Sequence, residues 1–161
     1  LWDYINDGTV DFIGSDHGPF LKSEKDTGYK DIFIAPAGFP GIDLRLPLIL
    51  NAVAEGKLKF DRAVKLISEN PAKIFGLYPK KGVIQVGSDA DLVVVDLNST
   101  MTVSKEKCYS KAKDVALGYE GQELKCRPIY TLVRGRVVMD HGLVDEDAAG
   151  WGEWVKPINN L

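Results

Sequence analysis

The sequence predicts an α/β fold in two parts: the end of an alternating strand–helix layer over residues 1–78, and a small β module with a tail over residues 79–161. Three observations carry this. A short apolar stretch, Val10, Phe12 and Ile13, runs into the turn Ser15-Asp16-His17-Gly18-Pro19. Helical apolar periodicity follows three times between residues 42 and 77. Beyond residue 83 the character switches to Val-rich, strand-like runs.

In chain order, Leu1 to Asn6 reads as the last turns of an amphipathic helix stopped by Asp7-Gly8. With no Met or cap before it, the chain reads as the C-terminal piece of something longer. Thr9 to Ser15 reads as a strand buried on both faces. Gly18 to Phe39 is a long loop, of the kind that is functional or mobile in compact domains. Ile42 to Val53 is a helix with Ile42, Leu46, Ile49, Leu50 and Val53 inward; Pro47 either kinks it or sits in its first turn. Phe60 to Ser68 is a second helix, with Phe60, Ala63, Val64 and Ile67 inward. Asn70 caps a short third helix that Gly76 stops.

In the second part, Val83 to Val86 is a short strand and Gly87 to Ala90 a turn. Asp91 to Leu97 has the Val/Leu density of a strand buried on both faces. Met101 to Val103 adds a further short strand, and Lys105 to Lys125 is irregular. Ile129–Arg134 and Arg136–Met139 form a tight hairpin around Gly135. The tail holds Trp151, Trp154 and Val155, either an intrachain anchor or a subunit contact.

Composition narrows the function classes. The 161 residues are 45% hydrophobic with a net charge of −3, enough for a core and without the positive field that nucleic acid binding needs. No apolar run reaches membrane-spanning length. Cys108 and Cys126 lack metal-type spacing and suit free thiols in a reducing cytoplasm. Asp89 and Asp91 read as turn and strand-edge residues rather than metal ligands.

The chemistry-bearing stretch is the turn at residues 15–19. Asp16 can ligate a cation or move a proton, and His17 can do either or hold a substrate oxygen. Strand ends of α/β barrels are where such groups act. Asp-His before Gly-Pro is otherwise a hydrogen-bonded turn, and His17 a structural histidine.

Four stretches in fixed order tip the balance: G-S-D-H-G-P-F at 14–20, A-P-A-G-F-P-G-I-D-L-R-L-P-L at 35–48, E-N-P-A-K-I-F-G-L at 69–77, and K-G-V-I-Q-V-G-S-D-A-D-L-V-V-V-D at 81–96. Together they resemble the C-terminal part of the cyclic amidohydrolases of the amidohydrolase superfamily: dihydroorotase, allantoinase and dihydropyrimidinase (hydantoinase). The resemblance implies a hydrolase opening C–N bonds of a cyclic amide or ureide. It implies the last strand and helices of a (β/α)8 TIM barrel, followed by part of a small β-sandwich. It implies two divalent metals, zinc being the expected ion, and a cytoplasmic homo-oligomer. Asp16 takes the place of a metal-ligating aspartate that also carries a proton to the leaving nitrogen. His17 takes a place near the substrate. Ala37 and Gly38 match the loop whose main chain meets the substrate ring imide.

Two departures matter. Phe20 stands where dihydroorotases commonly carry a second histidine, which looks more like the hydantoinase and allantoinase branches; it weakens a dihydroorotase-like activity, the leading expectation, without removing it, and allantoinase or hydantoinase activity is the alternative. The family's other ligands, a His-x-His pair, a carboxylated lysine and two more histidines, have no counterpart here, so the chain by itself is expected to be inactive and to hold metal weakly or not at all. Two non-enzymatic readings stay open: an assembly scaffold that keeps the fold, and an autonomous small β module.

Overall fold

The structure is a computed structural model that describes residues 1–115 and 118–158. Ala116 and Leu117, within the stretch expected to be irregular, and the end of the tail from 159 lie outside the described residues. Helices lead and a sheet follows.

Helix α1, Trp2–Asp7, ends where expected, with Gly8 in the left-handed region at φ +103°. The chain then doubles back: the Val10 amide donates to the Tyr4 carbonyl at 3.1 Å. Residues 10–15 carry no regular secondary structure and are not a strand, which corrects the expectation. No second strand reaches them among the described residues. Their polar groups are met instead by side chains and one helix carbonyl. Arg62 donates to the carbonyls of Ile5 and Val10, Asn70 to that of Asp11 at 2.7 Å, and Arg45 to that of Ile13 at 3.3 Å. The Ile13 amide donates to the Leu66 carbonyl at 3.0 Å.

Residues 18–39 are loop-like, with one short helix, α2 (Lys22–Lys25), and two single 3₁₀ turns at Asp26–Tyr29 and Ile32–Ile34. Helix α3, Arg45–Ala54, buries Pro47, Ile49, Leu50 and Ala52. Pro47 is its third residue, where a missing N–H costs nothing. Ile42 precedes the helix and is 57% exposed, contrary to expectation.

The expected second and third helices are one rod: α4 (Phe60–Val64), a π turn (Lys65–Glu69) and α5 (Asn70–Ile74). Asn70 is therefore not a cap; its side chain holds Asp11. Pro71 explains the opening of the rod. In the π turn the Asn70 amide reaches the Lys65 carbonyl, so Leu66 would need the N–H that Pro71 lacks. Its carbonyl turns to Ile13. Ala63 and Leu66 are buried against Ile5, Ile49, Ala52 and Leu58, whereas Phe60 and Val64 face outward.

The sheet is an antiparallel meander in the order β1 (Leu92–Thr102), β2 (Glu123–Val133), β3 (Arg136–Asp140), β4 (Leu143–Val144). The expected Asp91–Leu97 and Met101–Val103 strands are one strand interrupted by a register shift between Asp96 and Thr100. A second shift lies at Val95, which faces Pro128, a residue with no N–H to give. Val93, Val94 and Leu97 are exposed, not buried on both faces, because no second layer covers this half of β1 among the described residues. The hairpin turns on Arg134-Gly135 as expected, both at positive φ (+46° and +80°). Residues 83–86 are not a strand; Ile84 and Val86 stand in solvent, since no neighbour among the described residues offers them a ladder.

Helices and sheet are joined by a second apolar cluster: Leu44 and Leu48 pack on Met101, Val103 and Leu124. Polar pins flank it. Asn51 accepts the Lys125 amide at 2.9 Å, and Asp43 accepts those of Tyr109 and Ser110 at 3.0 and 3.4 Å. In the tail, the Trp151 indole donates to the Val133 carbonyl at 2.8 Å, with the guanidinium groups of Arg134 and Arg136 over its ring at 4.7 and 5.6 Å. Trp154 is 83% exposed. The Ile158 amide returns to the Gly76 carbonyl at 2.7 Å. Both cysteines are free, Cys126 buried and Cys108 half-buried, and burial pushes both thiols up.

Candidate functional site

The four residues singled out from the sequence, Asp16, His17, Ala37 and Gly38, lie on two segments pressed edge to edge. His17 and Phe39 form a parallel bridge in which the Gly18 amide donates to the Phe39 carbonyl at 3.0 Å. The approach requires glycines. A Cβ on Gly18 would lie 2.8 Å from Gly38 Cα, and one on Gly38, at φ +141°, would lie 2.9 Å from the Phe20 ring. A Cβ on Gly41 would lie 3.3 Å from the Ser15 carbonyl oxygen.

Side chains fasten the same seam. His17 Nδ1 accepts the amides of Gly41 and Ile42 at 3.2 and 3.3 Å. The Lys25 ammonium donates to the Pro36 carbonyl and lies 5.6 Å over the Phe20 ring. Asp16 is held in the left-handed region at φ +46°, where a non-glycine residue carries strain. Its side chain is exposed and has no hydrogen bond or ion pair to another described residue. Ala37 and Gly38 are exposed on the facing strip.

Beside this corner opens a groove of about 660 Å³, with Gly38 and Phe39 at its edge and Lys22, Lys25, Lys105 and Glu120 on its walls. Its charges are largely partnered: Lys22 pairs with Asp26 at 2.7 Å and Lys105 with Asp114 at 3.8 Å.

The corner offers one free carboxylate, one half-buried imidazole with a single nitrogen uncommitted, and a strip of bare main chain. That set suits proton carriage and recognition of a flat polar ring. Among the described residues no group of three or more His, Cys, Asp or Glu stands close enough to hold a metal. Asp89 and Asp91 are engaged elsewhere: Lys81 bridges both, and Asp91 accepts the Arg134 amide at 2.8 Å. Gly18, Gly41 and Lys25 were not singled out from sequence. The signal for the glycines was their recurrence in both loops, at 18 and at 38 and 41.

No described helix is long and apolar enough to cross a membrane. The sequence model of the amidohydrolase family matches residues 1–138. An L-hydantoinase of Paenarthrobacter aurescens is 39% identical over 162 residues, spanning 99% of this chain and 34% of that protein. A dihydroorotase of Methanosarcina acetivorans is 42% identical over 135 residues, spanning 83% of this chain and 28% of that protein. A solved D-hydantoinase superposes with a TM-score of 0.84 at 36% identity, spanning 89% of this chain and 31% of that one. The chain thus spans about a third of the length of the relatives it matches.

Proposed function

Since the chain belongs to the amidohydrolase family, we propose that it is part of a metal-dependent hydrolase that opens a ring C–N bond of a cyclic amide or ureide. The observation that carries this reading is local. Asp16 is kept strained, exposed and, among the described residues, unpartnered on a turn laced by glycines to the Ala37–Gly38 strip. A purely structural turn has no need to hold a carboxylate in that state.

In this reading residues 1–78 are the end of a (β/α)8 barrel, and 79–161 belong to a small β-sandwich. A divalent metal, zinc being the expected ion, would be held by Asp16 with ligands from outside this chain; it supplies Lewis-acid polarisation of the carbonyl and a nucleophile at neutral pH. Asp16 carries the proton from the nucleophile to the departing ring nitrogen, a task for a carboxylate within reach of both. Ala37 and Gly38 present main-chain N–H and C=O groups to the ring imide, whose donor and acceptor edge they complement. His17 stands beside the substrate. Phe20 favours a hydantoin, dihydropyrimidine or allantoin ring over dihydroorotate, because an apolar ring replaces a donor to the substrate carboxylate. The exposed Trp154 suits a homo-oligomer contact, and the free thiols suit the cytoplasm.

Ring opening by the whole protein, supplied with zinc or manganese, is the test. Hydantoin, dihydrouracil, allantoin and dihydroorotate should be compared by loss of ring absorbance. At least one is expected to turn over, and Asp16→Asn is expected to lower kcat by about 10²-fold or more. No turnover of any of the four, with metal bound, would overturn the assignment and favour an assembly scaffold.

A further inference from the structure

The His17 ring spans the seam between the two loops. Its Nδ1 accepts from the Gly41 and Ile42 amides at 3.2 and 3.3 Å. A backbone N–H can only donate, so Nδ1 must carry a lone pair, and in the neutral ring the proton is on Nε2. The main chain is tied at the same place, through the Gly18 amide on the Phe39 carbonyl. His17 is thus fastened to residues 39–42 by side chain and backbone. Asp16, one residue earlier, has no tether from its own side chain, so the direction in which its carboxylate leaves the turn is set by the peptide that His17 anchors.

We propose that His17 is a positioning residue for Asp16: its Nδ1, committed to the Gly41 and Ile42 amides, holds the Asp16 turn in register with the Ala37–Gly38 strip and fixes the ring as the Nε2–H tautomer. The role toward Asp16 rests on the function proposed above; the tautomer and the clamp do not. The consequence for chemistry is specific. The neutral ring has no basic nitrogen left, so toward a substrate it can only donate, from Nε2–H to an oxygen. It is not the general base, and that role falls to Asp16.

Two measurements test this on the protein with ¹⁵N-labelled histidine. Long-range ¹H–¹⁵N spectra read the tautomer directly, the His17 signals being identified by their loss in His17→Asn. Within this chain His141 is the one other histidine. A protonated Nε2 and an unprotonated Nδ1 are expected in the wild-type spectrum; a protonated Nδ1 in the neutral ring overturns the proposal. The second measurement is hydrogen exchange at Gly41 and Ile42, together with kcat and KM for ring opening. Asn places an amide oxygen near the position of Nδ1, and Gln places one near that of Nε2. His17→Gln should lose amide protection by about tenfold and should lower kcat more than His17→Asn does, with KM moving less than kcat. The reverse order, Gln retaining what Asn loses, would mean that the ring works through Nε2 on the substrate, and the clamp would be wrong. An absence of ring hydrolysis bears on the activity alone; the clamp is decided by the tautomer and the exchange rates.

Discussion

A single methyl group probes the seam between the two loops. Gly18→Ala places a Cβ 2.8 Å from backbone, where no flexible side chain can yield. It is expected to lower stability by about 1–3 kcal/mol, measured by urea unfolding, and truncating Phe20 should not relieve it. Gly38→Ala meets the Phe20 ring first, at 2.9 Å, so Phe20→Ala should recover part of its cost, leaving the parts due to Gly18 Cα at 3.1 Å and to the left-handed backbone. Equal behaviour of the two variants in the Phe20→Ala background would contradict the geometry. Leu66 marks the opposite case. It is 0% exposed between α3 and the first segment, and Leu66→Ala should cost about 2–5 kcal/mol. At this scale the sequence was informative about chemistry and uninformative about contact. Asp16 and His17 stand out as residue types in a turn, but the need for Gly18 and Gly38 exists only once two loops about 20 residues apart in sequence touch.

At the scale of elements, what could be read locally was read, and what depends on a partner was not. The Arg134-Gly135 hairpin and the Gly8 helix stop follow from the conformational freedom of a few adjacent residues. The stretch at 10–15 has a strand's composition, yet strands exist only in pairs, and here Arg45, Arg62, Asn70 and Leu66 take the partner's place. Removing one of the side-chain donors among them should loosen the segment selectively. Arg62→Ala leaves the Ile5 and Val10 carbonyls without it and should cost about 1–3 kcal/mol, with hydrogen exchange accelerating at residues 5–13 before it does in the sheet. The turn before β1 carries a pH signature. The hydrogen bond from Lys81 holds the Asp89 carboxyl below its ordinary value, against a smaller desolvation effect. A depressed carboxylate contributes stability that is full above its unfolded value, about 3.9, and is lost as pH falls through the folded value. The wild-type unfolding midpoint should therefore decline faster than that of Asp89→Asn below about pH 4; parallel curves would show that the pair has no weight.

The whole molecule distributes its tryptophans between two tasks. Trp151 is gripped by the hairpin, and Trp151→Ala should lower the melting temperature. Trp154 touches little of this chain, so Trp154→Ala should leave that temperature nearly unchanged and, if the residue lies between subunits, shift the elution volume of the assembled protein; an unshifted oligomer would assign it no such contact. Among the described residues the β module meets the helices in two places: around Leu44 and Leu48 on Val103 and Leu124, with the Asp43 and Asn51 pins beside them, and where Ile158 of the tail returns to Gly76. A body held at one point can pivot; one held at two separated points keeps at most the rotation about the line joining them. The tail bond, easily overlooked as a loose end, therefore removes mechanical freedom, and the corner formed by the two loops is carried on a frame left with at most that one rotation.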